Sequence, residues 1–224
     1  MKSYEDHVSA EMKKVLRPGM TFVDIGANLG YFTMMAALLV GNSGKVIAFE
    51  AYSDNCSLIR MSLLVNGFRH VTVHCYAVAD RQDYMFFDVD PGTSNGFIWW
   101  ASGEPTSDLV VPTVRLDDIL RDEPRVDVLK IDIEDFEGIA LRDMGETLRR
   151  HHPIVFTEFF PGLIKHYPQS SPEVYLRELQ AFGYDFYILP RDGSGRGEQP
   201  NSIEHILEVT PPDREYVDLV AYPR

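Results

Sequence analysis

Few features of this chain assign it quickly. Among 224 residues there are two cysteines, Cys56 and Cys75, which excludes a disulfide-stapled or cysteine-rich metal scaffold. One falls on a predicted helix and the other on a predicted strand, and two buried, reduced thiols in a cytoplasmic protein are expected. No apolar run approaches the roughly 20 residues that cross a bilayer, so no membrane partner is expected. The first residues, MKSYEDHVSAEMKK, are polar and acidic rather than leader-like. Basic residues are also short: 21 Lys and Arg face 34 Asp and Glu, a formal net charge of −13. Without a basic surplus to displace counterions, nucleic acid is not an expected partner. The acidity suits a neutral or cationic small molecule better than an anion. Repeats, low-complexity tracts and interdomain linkers are missing too, so residues 1–224 are expected to form a single domain around one core.

What the chain does have is alternation. Residues 4–16 read as an amphipathic helix within an N-terminal segment 1–18, closed by Arg17-Pro18-Gly19. The pattern then predicts strand 21–25, helix 30–41, strand 45–50, helix 53–66 and strand 70–76. After an interruption it resumes with strand 126–132, helix 137–150, strand 153–159 and helix 172–183. Such alternation indicates an α/β fold with a mostly parallel, doubly wound sheet. The interruption, residues 83–115, holds three β-like runs (YMFFDV, GFIWWA, LVVPTVRL) and is expected as an antiparallel insertion. The last two runs, YDFYILP and EYVDLVAYP, are expected as an antiparallel hairpin joined by a connection without a clear helix.

Two motifs carry chemistry. The first is TFVDIGANLG, Thr21 to Gly30, answered by Glu50 at the end of KVIAFE. An apolar strand that opens into Gly-x-Asn-x-Gly before a helix, with an acid ending the next strand, is a nucleotide-binding unit. Gly26 allows close backbone approach to a ligand, and Gly30 allows the helix to pack near the strand. Asn28 tolerates positive φ and can donate a hydrogen bond. The helix N-terminus offers N–H groups to an anionic group, and Glu50 is placed to accept both hydroxyls of a ribose. The dinucleotide spacing Gly-x-Gly-x-x-Gly is missing, and Asp24 precedes the first glycine instead. Asp24 can orient the turn and meet an ammonium, so these residues favour S-adenosylmethionine, a net cation with ammonium, carboxylate and ribose.

The second motif is VDVLKIDIEDFEG, residues 126–138. Extended, it puts Lys130, Asp132 and Glu134 on one face and Leu129, Ile131 and Ile133 on the other. Its C-terminal end is where ligands bind in doubly wound sheets. Glu137 reads as a helix-starting acid.

With RPGMTFVDIGANLGYFT, GKVIAFE, LLVNGF, YAVAD, VRLDDIL, VDVLKIDIEDFE and HPIVFTEF in this order, the chain resembles the FkbM family of S-adenosylmethionine-dependent methyltransferases. The resemblance implies a Rossmann-like class I methyltransferase sheet with S-adenosylmethionine as cofactor. It places Asp24, Gly26, Asn28, Gly30 and Glu50 at the cofactor and Ala77 near the adenine. The chain departs from the family pattern where Ala51-Tyr52-Ser53 follows Glu50, and where Asp135 stands in place of a glycine. The expected reaction is methyl transfer to a hydroxyl of a sugar or secondary metabolite. N-methylation of an amine or peptide and a non-catalytic cofactor-binding module are the alternatives. Asp132 or Glu134 is expected to position the acceptor or take its proton, with Glu158 and His166 as further candidates. No metal is expected, and the oligomeric state is not read. One of Trp99 and Trp100 is a candidate for the acceptor pocket.

Overall fold

The computed structural model describes residues 4–89, 96–100, 107, 109–133, 136–164, 171–211 and 216–224. The first half runs α1 (Asp6–Val15), β1 (Thr21–Ile25), α2 (Tyr31–Val40), β2 (Lys45–Phe49), α3 (Ser53–Asn66) and β3 (Val71–His74). Next come β4 (Ala77–Val78), β5 (Tyr84–Val89), β6 (Gly96–Trp100), β7 (Leu109–Val114) and α4 (Leu116–Ile119). The second half runs β8 (Val128–Ile131), α5 (Glu137–Leu141), α6 (Gly145–His151), β9 (Ile154–Phe159), α7 (Pro161–Ile164) and α8 (Pro172–Ala181). It closes with β10 (Tyr184–Leu189), α9 (Ile203–Val209) and β11 (Val217–Pro223).

Seven strands form the main sheet in the order β10-β11-β9-β8-β1-β2-β3. Strands β9, β8, β1, β2 and β3 pair in parallel, while β11 pairs antiparallel with both β9 and β10. The C-terminal hairpin is therefore present, but β11 is slotted between its partner and β9. The connection expected to lack a clear helix contains α9, capped by the Ser202 hydroxyl accepting from the His205 N–H at 3.1 Å. The helix expected over 137–150 is two, α5 and α6, separated by Arg142–Met144. Apolar periodicity bridged the break because Leu141 and Leu148 on either side of it and Met144 within it are all buried.

Central strands buried on both faces read as nearly continuous apolar runs, as in TFVDI. Phe22, Val46, Val128, Phe156 and Val220 face α1 and α2. Val23, Ile25, Phe49, Leu129 and Ile131 face the other way, against α4–α6, α8 and α9. Fully buried side chains such as Phe22 and Ile25 each contribute about 2–3 kcal/mol of transfer free energy. The insertion forms a second sheet, β4-β7-β5-β6, parallel between β4 and β7 and antiparallel elsewhere. Its Met85, Phe87 and Val111 pack with Phe136 and Ile139, so it stands against the strand ends of the main sheet. No described helix is long and apolar enough to cross a membrane.

The expectation of two free thiols is corrected. Cys56 and Cys75 are joined in a disulfide, with their Cα atoms 6.1 Å apart. The β2–α3–β3 crossover folds the first turns of α3 over the end of β3 and brings two positions 19 residues apart together. No local pattern records that meeting. The pairing also removes the argument for a reducing compartment that free thiols would have carried.

Candidate active site

A cavity of about 280 Å³ opens at the C-terminal ends of β1, β2, β8 and β9. Its lining joins both sequence motifs: Gly26, Asn28 and Glu50 on one side, Asp132, Ile133 and Glu158 on the other. Parallel β1 and β8 are neighbours in the sheet, with Asp24 in register with Lys130, and this neighbourhood unites motifs more than a hundred residues apart.

The turn after β1 is shaped by steric necessity. Gly26 has φ 80°, and a Cβ there would lie 1.7 Å from the Asp132 carbonyl oxygen. Its glycine is needed by the approach of β8 rather than by a ligand. Gly30 has φ 85°, and a Cβ would lie 2.9 Å from Ile59 Cγ1, so α3 rather than the strand requires it. Asn28 takes φ 50°, the left-handed region anticipated for it. Four N–H groups of the turn before α2 are used within it. Those of Gly26 and Ala27 donate to the Phe49 carbonyl, that of Gly30 to the Ala27 carbonyl, and that of Asn28 to Glu50 Oε2 at 2.7 Å.

Glu50 is the pivot. Its Oε1 accepts from the Tyr52 N–H at 2.8 Å, and its side chain is buried at the cavity wall. Burial pushes its carboxyl up to about 7, against the lowering effect of the Tyr52 and Asn28 N–H groups. Asp24 lies beneath the turn, fully buried, with Oδ2 accepting from the Thr33 hydroxyl at 2.6 Å. Its Oδ1 is buried with no hydrogen-bond partner, and burial raises its pKa. Such an orphaned acceptor fits the donor an ammonium or a bridging water would supply. Ala77 and Val78 line the cavity with Phe87, whose ring stacks on Tyr52 at 5.5 Å. These apolar walls fit a flat heteroaromatic ring.

Lys130 and Asp132 meet as an ion pair, Nζ to Oδ2 at 2.6 Å, with Nζ also 4.9 Å from the centre of the Phe32 ring. Burial alone would lower the Lys130 pKa, but Asp132 and Asp24 outweigh it and hold the ammonium charged. Glu137 starts α5 and accepts the Ile133 N–H at 3.1 Å, as its position predicted. Glu158 lies at the end of β9, in register with Asp218, and faces the cavity. Glu134 and His166 lie outside the described residues, as do the side chains of Trp99 and Trp100.

The FkbM methyltransferase domain model matches residues 24–186. The chain belongs to that family. It resembles the crystal structure of methyltransferase FkbM from Methylobacillus flagellatus KT, with a TM-score of 0.57 and 17% identity over 96% of this chain and 50% of that one. The chain thus spans about half the length of that FkbM protein. An rRNA methylase from Streptococcus thermophilus is similar at TM-score 0.56 and 12% identity, over 100% and 98% of the two chains. Fibrillarin from Aeropyrum pernix, solved with natively bound S-adenosyl-L-methionine, is similar at TM-score 0.52 and 12% identity, over 96% and 73%. At these identities the likeness establishes the Rossmann-like methyltransferase fold. An rRNA methylase among these structures means that the fold does not separate small-molecule from nucleic-acid acceptors. For this FkbM chain the expectation against nucleic acid rests on its net charge of −13 alone.

Several cavity residues were not found from sequence. Tyr4 and Glu5 reach the cavity because α1 packs across the face of the sheet, and Glu5 holds φ 43° at the start of that helix. Phe160 and Tyr216 form the far wall, 6.2 Å apart, with the Arg191 guanidinium 4.1 Å from the Tyr216 ring. His7 ties α1 to β11 through Asp218, Nε2 to Oδ2 at 2.6 Å.

Proposed function

We propose that this chain transfers a methyl group from S-adenosylmethionine to a hydroxyl oxygen of a small polar acceptor, a sugar or secondary-metabolite alcohol. The observation that carries the cofactor reading is the acidic cavity itself. Glu5, Glu50, Asp132 and Glu158 line it, and no lysine or arginine is among its described lining residues. A cavity of one sign concentrates a ligand of the other. When bound, the cofactor supplies a methyl group on a cationic sulfur. Glu50 would accept the ribose hydroxyls, Asp24 would lie under the ammonium, and Ala77 with Phe87 would flank the adenine.

The remaining work is alignment, water exclusion and proton acceptance. Asp132 is held at the strand end by Lys130, which orients it toward the acceptor half of the cavity. Glu158 is the second carboxylate there, and Glu134 and His166 keep the roles of positioning residue and base as part of this proposal. Tyr4, Phe160 and Tyr216 would exclude water around the acceptor.

One observation favours a second reading. The acceptor half presents Glu5, Asp132 and Glu158 beside aromatic rings, a setting that also holds an ammonium. N-methylation of an amine is the reaction that setting supports. Methyl-transfer assays with paired acceptors, an alcohol and its amino counterpart, separate the two. Calorimetry tests the cofactor: binding of NAD without binding of S-adenosylhomocysteine would overturn the proposal. A cytoplasmic location belongs to the same reading and requires that the Cys56–Cys75 pair be reduced in the cell.

A further inference from the structure

The N-terminal end of α2 borders the candidate site, and the rest of its outer side extends away from it. Its sequence, YFTMMAALLV, contains no acidic or basic residue. Helix α3 buries Cys56, Ile59 and Leu63 against the sheet, yet its opposite stripe is also apolar. Leu58, Met61 and Val65 follow the spacing of one helix face, with Leu64 beside them. Met61 is 62% exposed, Leu64 81% and Val65 87%, and Leu38 on α2 is 72% exposed. With Leu29 and Leu58 about half exposed, these side chains leave roughly 700 Å² of apolar surface in water, above the range for the largest patch of an ordinary monomer.

We propose that this α2–α3 face is the contact surface of a two-fold dimer of this chain. A groove of about 1260 Å³ runs along α2, walled by Met34, Met35, Leu38 and Phe68 at its apolar end and by Lys13, Lys130 and Asp132 where it meets the candidate site. In a two-fold dimer the Leu64–Val65 ridge of each copy would lie against the apolar end of the other's groove. The apolar area of this face is close to the roughly 800 Å² that each partner buries in a standard interface. Charge selects the same face. Two copies at −13 repel each other over most of their surfaces, whereas residues 31–40 and 61–66 are free of acidic and basic side chains. The same acidity opposes docking on an anionic membrane.

Sedimentation equilibrium of the full chain over about 1–100 μM tests this inference, which is independent of the cofactor reading. The expected result is a species of twice 25.5 kDa with a Kd of roughly 1 μM. Leu64→Glu and Leu38→Lys change exposed side chains, so circular dichroism should stay native. Each variant alone should weaken association by about 30-fold or more. An equimolar mixture of the two should re-form the dimer, because the introduced carboxylate then faces the introduced ammonium. A wild type that stays monomeric at about 100 μM, or a dimer that both variants leave intact, overturns the proposal. Co-sedimentation with phosphatidylcholine–phosphatidylglycerol vesicles in place of self-association overturns it too.

Discussion

Glu50→Gln separates the charge of the cavity wall from its shape. In the free protein Glu50 is buried and its carboxyl is pushed up from 4.5 to about 7, which corresponds to about 3 kcal/mol of disfavoured ionisation. A raised folded-state pKa means that the folded protein holds this proton more tightly than the unfolded chain. Its stabilising contribution is full below the ordinary carboxylate range and is lost as pH rises toward 7. Ligand hydroxyls that donate to the carboxylate favour the ionised form, so binding should follow ionisation. At pH 6 about one-tenth of the population is ionised and at pH 8 about nine-tenths, so affinity should rise about 10-fold between them. Glutamine keeps the volume but removes the charge, and its amide nitrogen must face one of the N–H donors of Asn28 or Tyr52. Losing charge-assisted hydrogen bonds of about 1.5–3 kcal/mol predicts roughly 100-fold weaker binding at pH 8. Calorimetry with S-adenosylhomocysteine across pH 6–8 reads both effects, and the variant should lose the pH dependence. A flat wild-type profile, or a variant that binds as well as wild type at pH 8, would refute the role assigned to Glu50.

Other predictions follow from contacts. Gly26→Ala places a methyl group against the Asp132 carbonyl and should cost more than about 3 kcal/mol in urea unfolding. Gly67→Ala, in the left-handed region with nothing within 4 Å of its Cβ, should cost only about 1–2 kcal/mol. Lys130→Met leaves Asp24 and Asp132 without their buried counter-charge and should cost roughly 3–5 kcal/mol at pH 8. That cost should shrink toward pH 5, because the already raised Asp24 carboxyl then takes up a proton; a pH-independent loss would point to packing instead. Cys56→Ser with Cys75→Ser opens a loop of 19 residues and should lower stability by about 3 kcal/mol, a change that dithiothreitol should reproduce. Asp132→Asn should spare S-adenosylhomocysteine affinity within about threefold while lowering turnover by about 100-fold; an equal loss in both would move Asp132 to the cofactor.

Most of the architecture was legible in the chain, because the elements that carry it are local. TFVDI and KVIAF are buried on both faces and had to read as apolar strands, and the Gly-x-Asn-x-Gly turn needs positive φ at Gly26, Asn28 and Gly30. The antiparallel insertion followed from β-like runs with turn residues between them. The break between α5 and α6 and the helix α9 were missed where periodicity is short. A few buried side chains on each side of a kink look like one helix.

The candidate site divides along the same line. Asp24, Asn28, Glu50 and Asp132 sit at strand ends, and an alternating sequence marks strand ends by itself. The meanings of Gly26 and Gly30 did not come from sequence, since what forbids a Cβ there is the Asp132 carbonyl in one case and Ile59 in the other. Tyr4, Glu5, Phe87, Phe160 and Tyr216, the Cys56–Cys75 pairing and the apolar face of α2 and α3 were settled only by tertiary structure. Each depends on residues distant in sequence meeting across the sheet edge. Backbone geometry and side-chain alternation act within a few residues and can be read along the chain, whereas packing joins segments that no local pattern connects.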